Sequence, residues 1–381
     1  PFWLKRQEVC LQFMVFGAAN VVLRPWSSTS LTWRRTTRAR LLLCGIPLQL
    51  LPMAGVAGPA TLHEAAPLCV ADSATPARVG CLARAAGVSK RVRGEADAGV
   101  PFGDGHFEAK LISSTSASGS TLVLSSPQPV TPGHKLVIPR RVVPRTADLT
   151  DTEFDDLWRT VRAAAAASHG GGAEAVNVAL PDGPAAGQPV PHVHAHVVPR
   201  RPGDFQVNDD VYEAIEAWQP WPAAGDAETT AKKLEVPPDG ERRSRSPEEM
   251  AAEASSYREV LAAMGEVEQS PLPQQQRFAK IVLDAGQLFF ASGTGLTVAF
   301  VNLKPLVPGH VLVVPRRPVA LLLDLDEEEL VDLFRSVRTV QRVVEGQHGA
   351  TASHLGIQDG RAAGQSVPHV HVHILPRQDG R

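Results

Sequence analysis

Two short stretches of the chain place histidine at every second position: His192-Val193-His194-Ala195-His196 and His369-Val370-His371-Val372-His373. Alternate side chains of an extended strand share a face. Each stretch therefore sets three imidazoles in a row, about 6.5–7 Å apart, with small apolar residues turned the other way. Neutral imidazole is a nucleophile and a base near pH 7, and a neighbouring ring can set its tautomer or assist a leaving group. A lone strand histidine is more often structural than chemical; six in two matched triplets point to a site. The rival chemistry is metal ligation, in which two rings of a row hold one Zn2+ and His134 or His310 adds a ligand. Thiol chemistry is excluded there, because Cys10, Cys44, Cys69 and Cys81 all lie in the first quarter of the chain.

The elements that carry these rows occur twice. Pro181–Arg200 and Gln358–Arg377 are identical at 14 of 20 positions at an offset of 177, and Val130–Arg141 matches Val307–Arg317 at an offset of 176. A repeat this long is a duplicated domain, not a solenoid unit. Each copy begins β-rich and reaches a strand at Lys135–Ile138 or Val311–Val314. A helix follows, with Thr150 or Asp326 as N-cap and Glu153 or Glu329 as the capping-box partner. Phe154, Leu157, Trp158 and Val161 fall at i, i+3, i+4 and i+7, as do Leu330, Leu333, Phe334 and Val337, giving each helix one apolar face. A strand, an Asp-Gly turn and the histidine strand complete the copy. The expected fold is α+β: two tandem domains, each an antiparallel sheet with a long helix packed on it.

His-φ-His-φ-His-φ-φ, with φ an apolar residue, resembles the signature of the histidine triad superfamily of nucleotide hydrolases and transferases. Asp-Gly-x-Ala-Ala-Gly-Gln before the row and Pro-Arg after it are similar to the fragile histidine triad branch, the diadenosine polyphosphate hydrolases. The nucleoside phosphoramidase branch tends to carry Gly-Gly instead. Arg201–Phe205, Asn208–Glu213 and Glu248–Glu253 resemble that branch's C-terminal part, and the likeness spans about 102–265 and 278–381. It implies that the middle histidine, His194 or His371, attacks the α-phosphorus to form a nucleotidyl-histidine, which water then hydrolyses. It implies that His196 or His373 bonds the scissile bridging oxygen or a phosphate oxygen, and that His192 or His369 with His134 or His310 orients the row. Gln188 or Gln365 would donate to phosphate oxygens. No tightly bound cofactor is implied; Mg2+ or Mn2+ would arrive on the substrate phosphates.

The copies are unequal. The family's phosphate-contacting glutamine before Asp-Gly is matched by Gln358, but by Pro181 in copy one, which has no donor. Its ribose-binding asparagine is matched by Asn302, but by Ser126 in copy one. Turnover is therefore expected from the C-terminal copy. That copy stops at Arg381 without a tail, and the tail of copy one is expected to serve an intramolecular pseudo-dimer.

With Lys+Arg 38 against Asp+Glu 40, the net charge of −2 removes the electrostatic case for a nucleic-acid binder. No stretch reads as a membrane span, since the apolar run Leu41–Ala57 is short and broken by Pro47 and Pro52. The expected organisation is a leader or disordered segment over 1–100, first domain 101–218, polar loop 219–247, C-terminal helix of the first domain 248–265, linker 266–277 and second domain 278–381. The basic flank Arg24–Arg40 before the apolar run resembles a transit leader, so the expected compartment is the cytoplasm or, by that leader, an organelle. A nucleotide-binding signalling protein with little turnover, or a phosphoramidase, is the alternative function.

Overall fold

The computed structural model describes residues 99–221, 240–265 and 267–378. The leader over 1–98 and most of the polar loop lie outside the described residues. Copy one runs β1 (Val100–Phe102), β2 (Gly105–Phe107), β3 (Ile112–Thr115), β4 (Thr121–Ser125), β5 (Lys135–Pro139), α1 (Asp151–Gly170), β6 (Ala175–Asp182) and β7 (Ala195–Arg200). Its tail adds α2 (Asp210–Glu216) and α3 (Pro247–Met264). Copy two repeats the plan as β8 (Gln275–Phe278), β9 (Ile281–Asp284), β10 (Leu288–Ala291), β11 (Thr297–Val301), β12 (Val311–Pro315), α4 (Glu327–His348), β13 (Ala352–Asp359) and β14 (Val372–Arg377).

Both helices start as expected. The Thr150 hydroxyl accepts from the Glu153 amide at 3.3 Å, and the Glu153 carboxylate accepts from the Thr150 amide at 3.0 Å. Asp326 and Glu329 form the same reciprocal pair at 2.8 and 3.1 Å. The apolar faces of α1 and α4 are buried against the sheet and against each other, and Trp158 stacks on Phe334 with centroids 3.7 Å apart at 7°. These two residues occupy equivalent positions, so the stack marks the axis relating the copies. Charged pairs flank it, including Arg335 bidentate on Asp155 at 3.0 and 2.7 Å.

One antiparallel sheet runs through both copies in the order β10-β11-β12-β14-β13-β6-β7-β5-β4-β3. The central β13–β6 pairing sets Gln358 opposite Asn177, Gly356 opposite Ala179 and His354 opposite Pro181. The two Asp-Gly turns lie at opposite ends of this seam, each packed on the start of the other copy's strand. Gly183 and Gly360 hold φ of 104° and 100°, and a Cβ on either would come within 2.8 or 2.9 Å of Ala352 or Ala175 on the other copy. Only glycine suits both the conformation and the approach. The intramolecular pair expected from the duplication is therefore built by strand pairing.

The chain departs from the expected boundaries in three places. The hairpin opening copy two begins at Gln275, inside the stretch expected as linker. Residues 219–221 pack on copy one, and Gly240–Ser246 runs along copy two, with Arg245 donating its amide to Leu303 at 3.0 Å, so the ends of the polar loop are fixed. Helix α3, expected with the first domain, packs on the second. Tyr257 meets Phe289 at 4.8 Å and bonds His348 at 2.7 Å, and Arg258 donates to the Leu288 carbonyl at 2.6 Å. Met250, Ala254, Tyr257 and Leu261 make the buried ridge. The physical reason lies in the receiving surface. Copy two offers Phe289, Val311, Val340 and Val343, whereas the matched positions of copy one are Ser113, Lys135, Ala164 and Ala167, which line an open groove of about 770 Å3. Burying Lys135 under a helix costs far more than burying Val311 gains.

Candidate active site

His196 and His373 sit on β7 and β14, and the other two histidines of each row lie on the extended segment just before the strand. Val193, Ala195 and Val197 join the helix-side core, as do Val370, Val372 and Ile374. Both imidazole rows thus occupy the opposite face of the one sheet. His373, Gly356, Ala179 and His196 are paired in turn across β14, β13, β6 and β7. At strand spacing the two rows are about 14 Å apart.

Backbone partners dictate the tautomer of every ring. His369 Nε2 lies 2.8 Å from the Pro315 carbonyl, which only accepts, while its Nδ1 accepts from the Ala279 amide at 3.1 Å. His192 repeats this with the Pro139 carbonyl at 2.9 Å and the Gly103 amide at 3.4 Å. The first ring of each row is thereby fully engaged and orienting. The middle ring donates through Nδ1–H to the carbonyl of the first: His371 to His369 at 2.7 Å and His194 to His192 at 2.8 Å. Its Nε2 keeps a free lone pair, as a nucleophile requires. The third ring is set by a relay. The Leu306 amide donates to His310 Nδ1 at 3.1 Å, so His310 Nε2 carries its hydrogen and donates to His373 Nδ1 at 2.9 Å. His373 is left with an Nε2–H to offer. The Val130 amide, His134 and His196 form the same chain at 3.1 and 3.0 Å.

Burial keeps the rings neutral. It pulls His192 and His194 down to about 4 and His134 and His310 down to about 3, and it holds His196 and His373 well below 6.5. It lowers His369 and His371 as well. One row therefore combines a free lone pair with an adjacent N–H donor, without a charged base. Among the described residues no group of three or more His, Cys, Asp or Glu is placed to hold an ion.

The remaining expected residues divide. Asn302 lies over His310, its Nδ2 3.3–3.4 Å from the ring nitrogens, and its Oδ1 accepts from the Lys304 amide at 3.0 Å. Gln358 is half-buried beside the Gly364 turn and bonds Tyr212 from the tail of copy one. The side chains of Gln188 and Gln365 do not face the site as expected. Gln188 Nε2 donates to the Pro144 and His192 carbonyls at 2.9 and 3.0 Å, and Gln365 Nε2 donates to Ala320 at 2.8 Å. They brace the loop beneath the row, because their amides satisfy carbonyls that the turn leaves open. Ser126 is engaged too: its hydroxyl donates to Gln128 at 3.0 Å and accepts from Trp218 Nε1 at 3.0 Å, so it is not offered to a ribose.

The HIT domain family model matches residues 115–203 and 290–380. The bifunctional bis(5'-adenosyl)-triphosphatase/adenylylsulfatase FHIT of Arabidopsis thaliana is 42% identical over 137 residues, 35% of this chain and 69% of that protein. The chain belongs to the HIT family, in its fragile histidine triad branch. The bis(5'-nucleosyl)-tetraphosphatase [asymmetrical] of Schizosaccharomyces pombe is 56% identical over 107 residues, and the chain spans 57% of its length. The bis(5'-adenosyl)-triphosphatase of Dictyostelium discoideum is 45% identical over 101 residues, 66% of that protein.

Several residues of the HIT pair escaped the sequence reading. Phe278 stands 5.3 Å from His369 and 5.4 Å from His371, and Phe102 does the same for His192 and His194 at 5.1 and 5.3 Å. Extending the repeat at its offset of 176 would have matched them. His354 of β13, buried and pulled down to about 4, matches Asn177 in copy one. It stands near both HIT rows only because the strands pair across the seam, which no local motif announces. Arg242 and Arg245 lie on the Asn302 and His310 side of copy two, Arg245 donating to the Asn302 carbonyl at 2.9 Å and paired with Glu253.

Proposed function

We propose that the chain hydrolyses dinucleoside polyphosphates, diadenosine triphosphate to AMP and ADP among them, through a nucleotidyl-histidine on copy two. The observation that carries this reading is the pairing of the His371 Nε2 lone pair with the neighbouring His373 Nε2–H, each fixed by backbone bonds. His371 Nε2 attacks the α-phosphorus and the bond to the bridging oxygen breaks. The His373 Nε2–H hydrogen-bonds the bridging oxygen, and ADP departs as its phosphate anion. A water molecule then attacks phosphorus through its oxygen and releases a proton to the solvent. The P–N bond breaks, AMP leaves and His371 regains its free Nε2 lone pair, while His373 keeps its Nε2–H throughout. Two displacements of modest barrier replace one difficult hydrolysis. Asn302 suits a ribose hydroxyl and Gln358 the phosphate oxygens, where a side-chain donor strengthens as charge builds. Mg2+ would enter bound to the substrate's phosphates. The names of the relatives, tetraphosphatase and triphosphatase, support the same class.

Incubation with diadenosine triphosphate in water enriched in heavy oxygen, followed by chromatography and mass spectrometry, tests the proposal. AMP carrying the heavy oxygen and unlabelled ADP are expected. Tight binding without products would favour a signalling role, and faster cleavage of adenosine monophosphoramidate a phosphoramidase.

A further inference from the structure

The two histidine rows differ in what covers them. Beyond α2, whose Val211 and Ile215 pack on Ala179 and Val198, the tail of copy one turns back over its own row. The Trp218 indole, 3% exposed, lies 5.6 Å from the His194 ring and 4.9 Å edge-on to His196. Its ring packs in one cluster with Leu122, Leu124, Leu136 and Ile138, and its Nε1–H bonds the Ser126 hydroxyl. Trp221 follows, 4.9 Å from Phe107 and 6.3 Å from Phe102, the ring that lies against His192 and His194. His194 is left 0% exposed, and the Nε2 atoms of His194 and His196 have neither solvent nor a hydrogen-bond partner.

Copy two has the matching wall in Val298, Phe300, Leu312 and Val314. Among the described residues, the rings against His371 and His373 are Phe278, His310 and each other. His371 is 4% exposed and His373 is half-buried. An indole is a flat bicycle of nearly purine size, and this one sits on the apolar wall with its N–H on the residue at the ribose position.

We propose that Trp218 stands in for a nucleotide in copy one, closing that site with the chain's own tail so that only the site on copy two is open. This rests on the hydrolase reading above. A buried polar nitrogen without a partner is costly, and copy one leaves both the His194 Nε2 lone pair and the His196 Nε2–H unpaired under a tryptophan lid that excludes substrate. Its histidines then serve the sheet and the seam rather than turnover.

Titration calorimetry of the whole chain with ADP tests this, with Trp218→Ala alongside. One ADP per chain is expected for the unaltered chain. Two are expected for Trp218→Ala, the second weaker because Pro181 and Ser126 supply a thinner polar set. Trapping the nucleotidyl-histidine on the unaltered chain and mapping its peptides needs no variant, so it stands even if Trp218→Ala fails to fold; label on His371 alone is expected. Two ADP per unaltered chain, or label on His194, would overturn the closure while leaving the hydrolase reading intact. No ADP bound to either protein would overturn that reading, and with it the assignment of an open site.

Discussion

The relay from the Leu306 amide through His310 to His373 is the least expected part of the site, and two substitutions at His310 separate its halves. An asparagine side chain places an oxygen near the imidazole Nδ1 position, so His310→Asn keeps an acceptor for the Leu306 amide and loses the donor to His373. A glutamine reaches the Nε2 position, so His310→Gln keeps the donor and loses the acceptor. Each removes one buried hydrogen bond, of 2.9 or 3.1 Å, and leaves one buried partner unsatisfied. The expected stability loss is therefore similar in both, about 1–3 kcal/mol. Rate should divide them. Without a donor at Nδ1, His373 is no longer held as the Nε2–H tautomer, and its proton is absent from the leaving oxygen part of the time. Loss of an orienting partner of this kind typically costs about 10–100-fold. Steady-state kcat/KM on diadenosine triphosphate, measured beside thermal unfolding, should show His310→Asn reduced by that factor and His310→Gln near the starting value, at matched stability. Equal activity in the two variants would refute the tautomer relay.

The division of labour predicts that His371→Asn nearly abolishes hydrolysis while His194→Asn leaves most of kcat/KM; a larger loss from His194→Asn reverses the ranking of the copies. Acidification should destabilise the fold before carboxylates titrate. Histidines with a pKa of 6.5 when unfolded and about 4 or 3 when folded contribute stability fully present above pH 6.5 and lost as pH falls toward those folded values, by up to about 1.4 kcal/mol per pH unit for each of His134, His192, His194, His310 and His354. Urea midpoints flat between pH 7 and 5 would contradict this. Trp158→Ala removes the indole stacked on Phe334 and should cost about 3–5 kcal/mol, read as a drop in denaturation midpoint; a loss below 1 kcal/mol, the scale of a surface change, would show that the helix pair does not hold the copies together.

Much of the chemistry was legible because it is local. Period-two histidines on a strand must share a face, and capping boxes at Thr150 and Asp326 must start helices, whatever surrounds them. The repeat announced two domains, and Pro181 announced a missing donor, since proline has none in any fold. What escaped depends on residues far apart in sequence. Gln188 and Gln365 looked like phosphate donors until the turn carbonyls beside them were seen to need those N–H groups. Ser126 looked free for a ribose until Trp218, far along the chain, was seen bonded to it. Helix α3 follows copy one in sequence but packs on copy two, because Phe289 and Val311 gain from burial where Ser113 and Lys135 would lose. Side-chain types and spacing determine which groups can react and which face they share. Which partners satisfy those groups, and which of two similar sites stays open, is decided by the competition for buried hydrogen bonds and apolar surface that only the folded chain resolves.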